Sequence, residues 1–182
     1  LDVLGAIDGQ QITPAQTGTS TNPTDVVANS IDTNSLTGVN QGCRVFLSSP
    51  QSLSAGNVAQ IQFDSEVYDS DNNFDTTANE WTCPKDGLYA VNLQVAFDSG
   101  SSGDDRGIRI ASPSTSNPNN RGALIDKTDS GFFDKLQTST INKYTSGDKI
   151  VGYATNSNSS DEIAAGSQNT GSFLEVAFIG GI

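Results

Sequence analysis

The chain contains no histidine and no methionine, only two cysteines in 182 residues, and nine lysines and arginines against 21 aspartates and glutamates. Without histidine a Ser-His-Asp or Cys-His couple cannot be assembled, so nucleophilic catalysis of that type is excluded. Zinc is excluded on the same ground, because Cys43 and Cys83 stand alone, far from metal-ligand spacing. Those two cysteines are read either as a disulfide between neighbouring strands or as two buried thiols acting as small hydrophobes, and both readings stay open. No apolar run reaches the roughly 18 residues of a membrane span, so no membrane insertion is expected. A formal net charge of −12 repels phosphate, which removes nucleic acid from the expected partners. With Leu1 first and no methionine, a processed N-terminus or a longer precursor is expected.

What the chain does contain is glycine, proline, serine, threonine and asparagine between short apolar runs, with no helical periodicity. That pattern predicts an all-β fold of many strands joined by turns. Residues 1–42 carry few large side chains and no sustained alternation, and are read as an extended N-terminal arm that cannot build its own core. From residue 43 onward strand signals recur. "CRVFLSS" puts Cys43, Val45 and Leu47 on one face, and "VAQIQF" does the same for Ala59, Ile61 and Phe63. "LYAVNLQVAF" alternates most strongly, with Tyr89, Val91, Leu93, Val95 and Phe97 in one phase, and is predicted to be a central strand. "RGIRIA", "GALID", "FFDKLQTSTINKY", "DKIVGYA" and "SFLEVAFI" follow. Eight or more short strands over residues 43–182 predict two packed sheets, a jelly roll or a related sandwich.

The most pointed local question is the acidic stretch "DSEVYDSDNNFDTTANEW". Asp69, Asp71, Asn73, Asp75 and Glu80 fall at positions 1, 3, 5, 7 and 12 of a calcium loop. Phe74 occupies the sixth position, where the sharp turn needs glycine, and the flanks read as strands where such a loop needs helices. No metal and no cofactor are therefore assigned. Asp104 and Asp105 form a carboxylate pair, but neighbours on a strand point to opposite faces, which suits a solvated turn better than glycoside hydrolysis. No catalytic residue is assigned. "NSS" at Asn158 is a formal glycosylation acceptor.

The stretch "IQFDSEVYDSDNNFDTTANEWTCPKDGLYAV" resembles the signature of the globular head of complement component 1q and its tumour-necrosis-factor-like relatives. The matching positions are Phe63, then Phe74 and Asp75, then Trp81, Thr82, Cys83 and Pro84, then Gly87, Leu88 and Tyr89. "YTSGDKIVGY" is similar to the family's Gly-Asp turn, with Gly147 and Asp148 in place, and "GSFLEVAFIGG" resembles its terminal strand. The likeness spans residues 43–182 and is poorest over 98–135. It implies a two-sheet jelly roll assembling as a homotrimer, structural roles for the residues just named, and Phe74 turned inward to pack. Joined to the polar arm and the absent catalytic groups, it leads to the expectation of a non-enzymatic virion surface protein. That role is a capsid or tail decoration, or a spike, anchored to capsid or tail proteins by residues 1–42 and meeting a host surface through its loops. The alternative is a secreted or cell-surface adhesion protein recognising glycans or receptors.

Overall fold

The computed structural model describes residues 41–97, 105–112, 125–128, 134–157, 161–166 and 171–181. The arm expected over 1–42, apart from its last two residues, lies outside them, as do Asp104, Asn158 and most of the loops expected to face a host surface. Val39–Ile182 form one compact unit.

Every regular element among the described residues is a strand. In chain order these are β1 (Gly42–Phe46), β2 (Gln51–Leu53), β3 (Val58–Gln60), β4 (Ser65–Asp69), β5 (Phe74–Asp75), β6 (Glu80–Thr82) and β7 (Gly87–Phe97). After them come β8 (Asp105–Ala111), β9 (Ile125–Thr128), β10 (Asp134–Tyr144), β11 (Lys149–Asn156), β12 (Asp161–Ile163) and β13 (Phe173–Gly180). One sheet runs β2-β12-β7-β13-β1-β4, with β10 also paired to β7; the other runs β5-β6-β11-β8-β9, with β3 paired to β11. All pairings are antiparallel. The fold is an all-β two-sheet sandwich, and among the described residues no helix could cross a membrane.

β7 holds the central place that its alternation predicts, flanked by β10 over its whole length and by β13. Tyr89, Val91, Leu93, Val95 and Phe97 are buried between the sheets, while Ala90, Asn92 and Gln94 face the other way. Gly152 of β11 allows the second sheet to approach: a Cβ there would lie 2.9 Å from Leu93 Cδ1 and 3.4 Å from Phe63. The predicted "VAQIQF" strand pairs only over Val58–Gln60. Ile61 and Phe63 nevertheless stay fully buried, and the Ile61 amide still donates to the Gly152 carbonyl at 2.9 Å. Hydrophobic alternation thus outlasts the ladder, because burial needs only the side chain to point inward.

The sheets are also tied together by an ion pair. Arg106 of β8 donates to Asp161 of β12 at 2.7 Å with both side chains buried, and the guanidinium lies 5.0 Å from the centre of the Phe97 ring. Composition gives no sign of this pair, since its partners are 55 residues apart.

Candidate functional site

Part of the family-like stretch packs around Tyr89. Trp81 packs edge-on against Tyr89 with ring centroids 5.3 Å apart, and Tyr89 meets Tyr144 at 5.9 Å and Phe178 at 5.1 Å. The Tyr89 hydroxyl donates to the Lys85 carbonyl at 2.7 Å. Burial first, and the neighbouring Cys83 second, push its pKa up to about 12. Phe63, Phe74 and Trp81 are buried, and Gly87 opens β7 opposite Tyr144. Gly147 has φ +87°, a turn conformation that side chains with a Cβ resist, and Asp148 closes the turn by accepting from the Thr145 amide at 2.9 Å. This is a packing cluster, with an open polar hollow of about 530 Å³ beside it at Asn72, Asn73, Asp75 and Thr82.

The acidic stretch is folded through β4, β5 and β6, and its carboxylates serve separate local ends. Asp69 Oδ2 accepts from the Phe74 amide at 2.7 Å, which helps to hold Phe74 inward at 5 % exposure. Asp75 Oδ1 accepts from the amides of Thr77 and Ala78 at 2.8 and 3.0 Å, and these bonds hold its carboxyl below the usual aspartate value. Glu80 pairs with Lys149 at 2.8 Å. Asn72 and Asn79 take the left-handed turn positions, with φ of 56° and 55°. Among the described residues no three potential metal ligands of the His, Cys, Asp and Glu types converge. The stretch is a folded-over edge of the sandwich, and its calcium-like spacing does not translate into a shared centre.

Cys43 and Cys83 are both buried, and no disulfide joins them. Cys43 sits on β1 between Val176 and Asp69, in the first sheet, whereas Cys83 follows β6 of the second sheet and exchanges backbone bonds with Gly147 and Asp148. Burial, aided by the negative charge of Asp69, raises the Cys43 thiol far above its ordinary pKa, so it is a packing group and a poor nucleophile.

Among the described residues, the outward face of each sheet is also open to other molecules. On the first, register brings Ile141, Ala90, Ala177 and Gly42 into one row across β10, β7, β13 and β1. The next row is polar: Ser139, Asn92, Glu175, Arg44 and Tyr68. Within these rows Arg44 pairs with Glu175 at 3.3 Å and lies 3.9 Å over the Phe173 ring, and Gln137 donates to Asn92 at 2.9 Å. The small side chains leave a shallow depression of about 520 Å³ beside Ile141, which is 65 % exposed; Ile179 on β13 is 53 % exposed. Sequence reading passed over Ile141, although the signal was there: it stands in the polar phase of "KLQTSTINKY", where a large apolar side chain gains nothing from the protomer's own core.

On the second sheet Arg109 crosses from β8 onto Tyr153 of β11, with the guanidinium carbon 4.9 Å from the ring centre. A concavity of about 270 Å³ lies there, bordered by Val58, Gly107, Arg109, Tyr153 and Thr155.

With this geometry in hand, the comparison with solved structures is decisive for the fold. The globular domain of zebrafish complement 1qA superposes with a TM-score of 0.52 at 14% identity, covering 78% of this chain and 99% of that one. Murine APRIL at pH 8.0 gives a TM-score of 0.60 at 12% identity, with 76% and 98% covered. The chain folds as a tumour-necrosis-factor and complement 1q type of jelly roll. Eiger TNF from S. frugiperda agrees, at a TM-score of 0.57 and 8% identity over 79% of this chain and 94% of that one. No protein-family model and no curated protein matches the sequence. At 8–14% identity, the likeness shown is that of the jelly roll itself.

Proposed function

We propose that this chain is a non-enzymatic homotrimeric module that displays its loops outward for recognition. The observation that carries the reading is the outward face of β10, β7 and β13, where exposed Ile141 and Ile179 flank a row of glycine and alanine. Small residues let another sheet approach closely, and the exposed isoleucines then lose their contact with water, each contributing on the order of 1–2 kcal/mol. The polar row beside them fixes the register of the copies. A stable contact of this kind buries about 800 Å² per partner, which a sheet face of this breadth can supply. Light scattering of the full chain at micromolar concentration is expected to give three times the 19.0 kDa chain mass; a strict monomer overturns the reading.

The polar composition of residues 1–42 supports their use as an anchor to a larger particle, with a virion surface as the leading setting. Three arms on one trimer raise the effective concentration of each, so a weak contact per arm is enough. Deleting residues 1–42 is expected to leave a trimer that no longer sediments with particles; full co-sedimentation of the truncated trimer removes the anchoring role. The second reading is a secreted or cell-surface protein that binds receptors or glycans. It is favoured by the likeness to a cytokine-type and a complement-type structure, and it expects ligand binding to survive loss of the arm.

A further inference from the structure

Arg109 differs from Arg44, Arg106 and Lys149, each of which meets a carboxylate. Its described contact is the Tyr153 ring, and its Nε is enclosed without a hydrogen-bond partner. In a chain with 21 acidic and nine basic residues, a half-buried guanidinium that meets no carboxylate among the described residues stands apart. We infer that the concavity beside Arg109 and Tyr153 binds the carboxylated sugar of an acidic glycan.

Four properties of the site define that ligand. Stacking on Tyr153 fixes the plane of the guanidinium, and a planar fork of N–H donors matches a carboxylate better than any neutral group does. The volume of about 270 Å³ falls near the lower end of small-molecule sites, so it suits one ring and excludes a helix or strand of a partner. Val58, 52 % exposed, and Tyr153 supply an apolar flank, Thr155 a hydroxyl, and Gly107 opposite Thr155 adds no side chain to fill the space. A pyranose offers the complementary pattern of a C–H face and a hydroxylated edge. Finally, the net charge of −12 repels polyanions at long range, which favours a ligand with a single carboxylate over a polyphosphate or polysulfate. This inference rests on the recognition role proposed above, with the ligand placed on a sheet face.

The test is saturation-transfer NMR of the full chain with sodium N-acetylneuraminate, its methyl ester, galactose and benzoate. The acidic sugar is expected to bind with a roughly millimolar Kd, and the ester and galactose at least about tenfold more weakly. Arg109→Gln is expected to weaken the acidic sugar by at least about tenfold, and Arg109→Lys nearly as much, because an ammonium cannot present the fork. Thr155→Trp, which fills the concavity without touching the charge, is expected to block binding in a protein that keeps its circular dichroism. Binding that survives Arg109→Gln or Thr155→Trp overturns the site. Equal binding of the methyl ester overturns the role of the carboxylate, and equal binding of benzoate overturns the sugar. Absence of binding by any probe at tenfold above the expected Kd overturns the whole inference. Light scattering on the same samples reports the trimer independently, so the failure of this site and the failure of the trimer are separate results.

Discussion

The two outward faces of this sandwich are built from equally ordinary strands, yet they present opposite problems to solvent. The face of β10, β7 and β13 carries a row of small side chains, and it exposes isoleucine where no other described residue covers it. The face of β8, β11 and β3 carries a small concavity beside an arginine that meets no carboxylate among the described residues. An apolar plane is relieved by another plane, which points to a second copy of the chain. A fixed charge in a small hollow is relieved by a small counter-ion, which points to a ligand. The comparison teaches that one fold can separate assembly from recognition by giving each sheet its own surface chemistry.

The strongest way to break the comparison is to remove what both faces share. Asp161→Ala deprives buried Arg106 of its carboxylate and loosens the link between the sheets, and is expected to destabilise the chain by about 3–5 kcal/mol. Urea unfolding measures it, and both faces should fail together. A loss below about 1 kcal/mol would mean that the pair is dispensable.

A narrower cut separates the faces. Ile141→Asp places a charge on the first face at a position that the protomer leaves 65 % exposed, so protomer stability is expected to change by no more than about 0.5 kcal/mol. The trimer, by contrast, is expected to dissociate at micromolar concentration in light scattering, with carbohydrate binding on the second sheet retained. A trimer that tolerates this substitution assembles through another surface.

Smaller still are the effects of pH around Tyr89 and Asp75. Tyr89 is protonated in the fold with a pKa of about 12 against an ordinary value of 10.0. Its contribution is complete below the ordinary value and is lost as pH rises through that window. Absorbance titration is expected to show Tyr89 ionising late, beside Tyr68, whose pKa burial and the Glu175 charge also raise, and melting to weaken as Tyr89 ionises. Asp75 works in the opposite sense, because its carboxyl is held below the ordinary value by the Thr77 and Ala78 amides. Its contribution is present above the ordinary value and fades as pH falls through the lowered one. Asp75→Ala is therefore expected to melt slightly below the parent at neutral pH and level with it in strong acid. An offset that persists unchanged in acid would remove the titrating carboxylate from the account.

How far the sequence alone reaches can be judged residue by residue. Tyr89, Val91, Leu93, Val95 and Phe97 announced a central strand because alternation along a strand is a local property, fixed by the geometry of a single chain segment. The all-β class and the two sheets followed from the same kind of local pattern, whereas the inward turn of Phe74 was implied only by the family resemblance. The calcium-like spacing carried little for the converse reason: ligands converge only if the backbone curls around a point, and here Asp69, Asp75 and Glu80 sit on short strands and turn oxygens to nearby amides and to Lys149. The state of Cys43 and Cys83 could not be read from their spacing either, since it depends on which sheet each strand joins. Composition and periodicity, being sums and repeats along the chain, determined the class of fold and ruled out histidine-based catalysis and zinc. The Arg106–Asp161 link, the exposed row at Ile141 and the stacking of Arg109 on Tyr153 were decided only by the tertiary structure, because each depends on strands distant in sequence lying side by side in register.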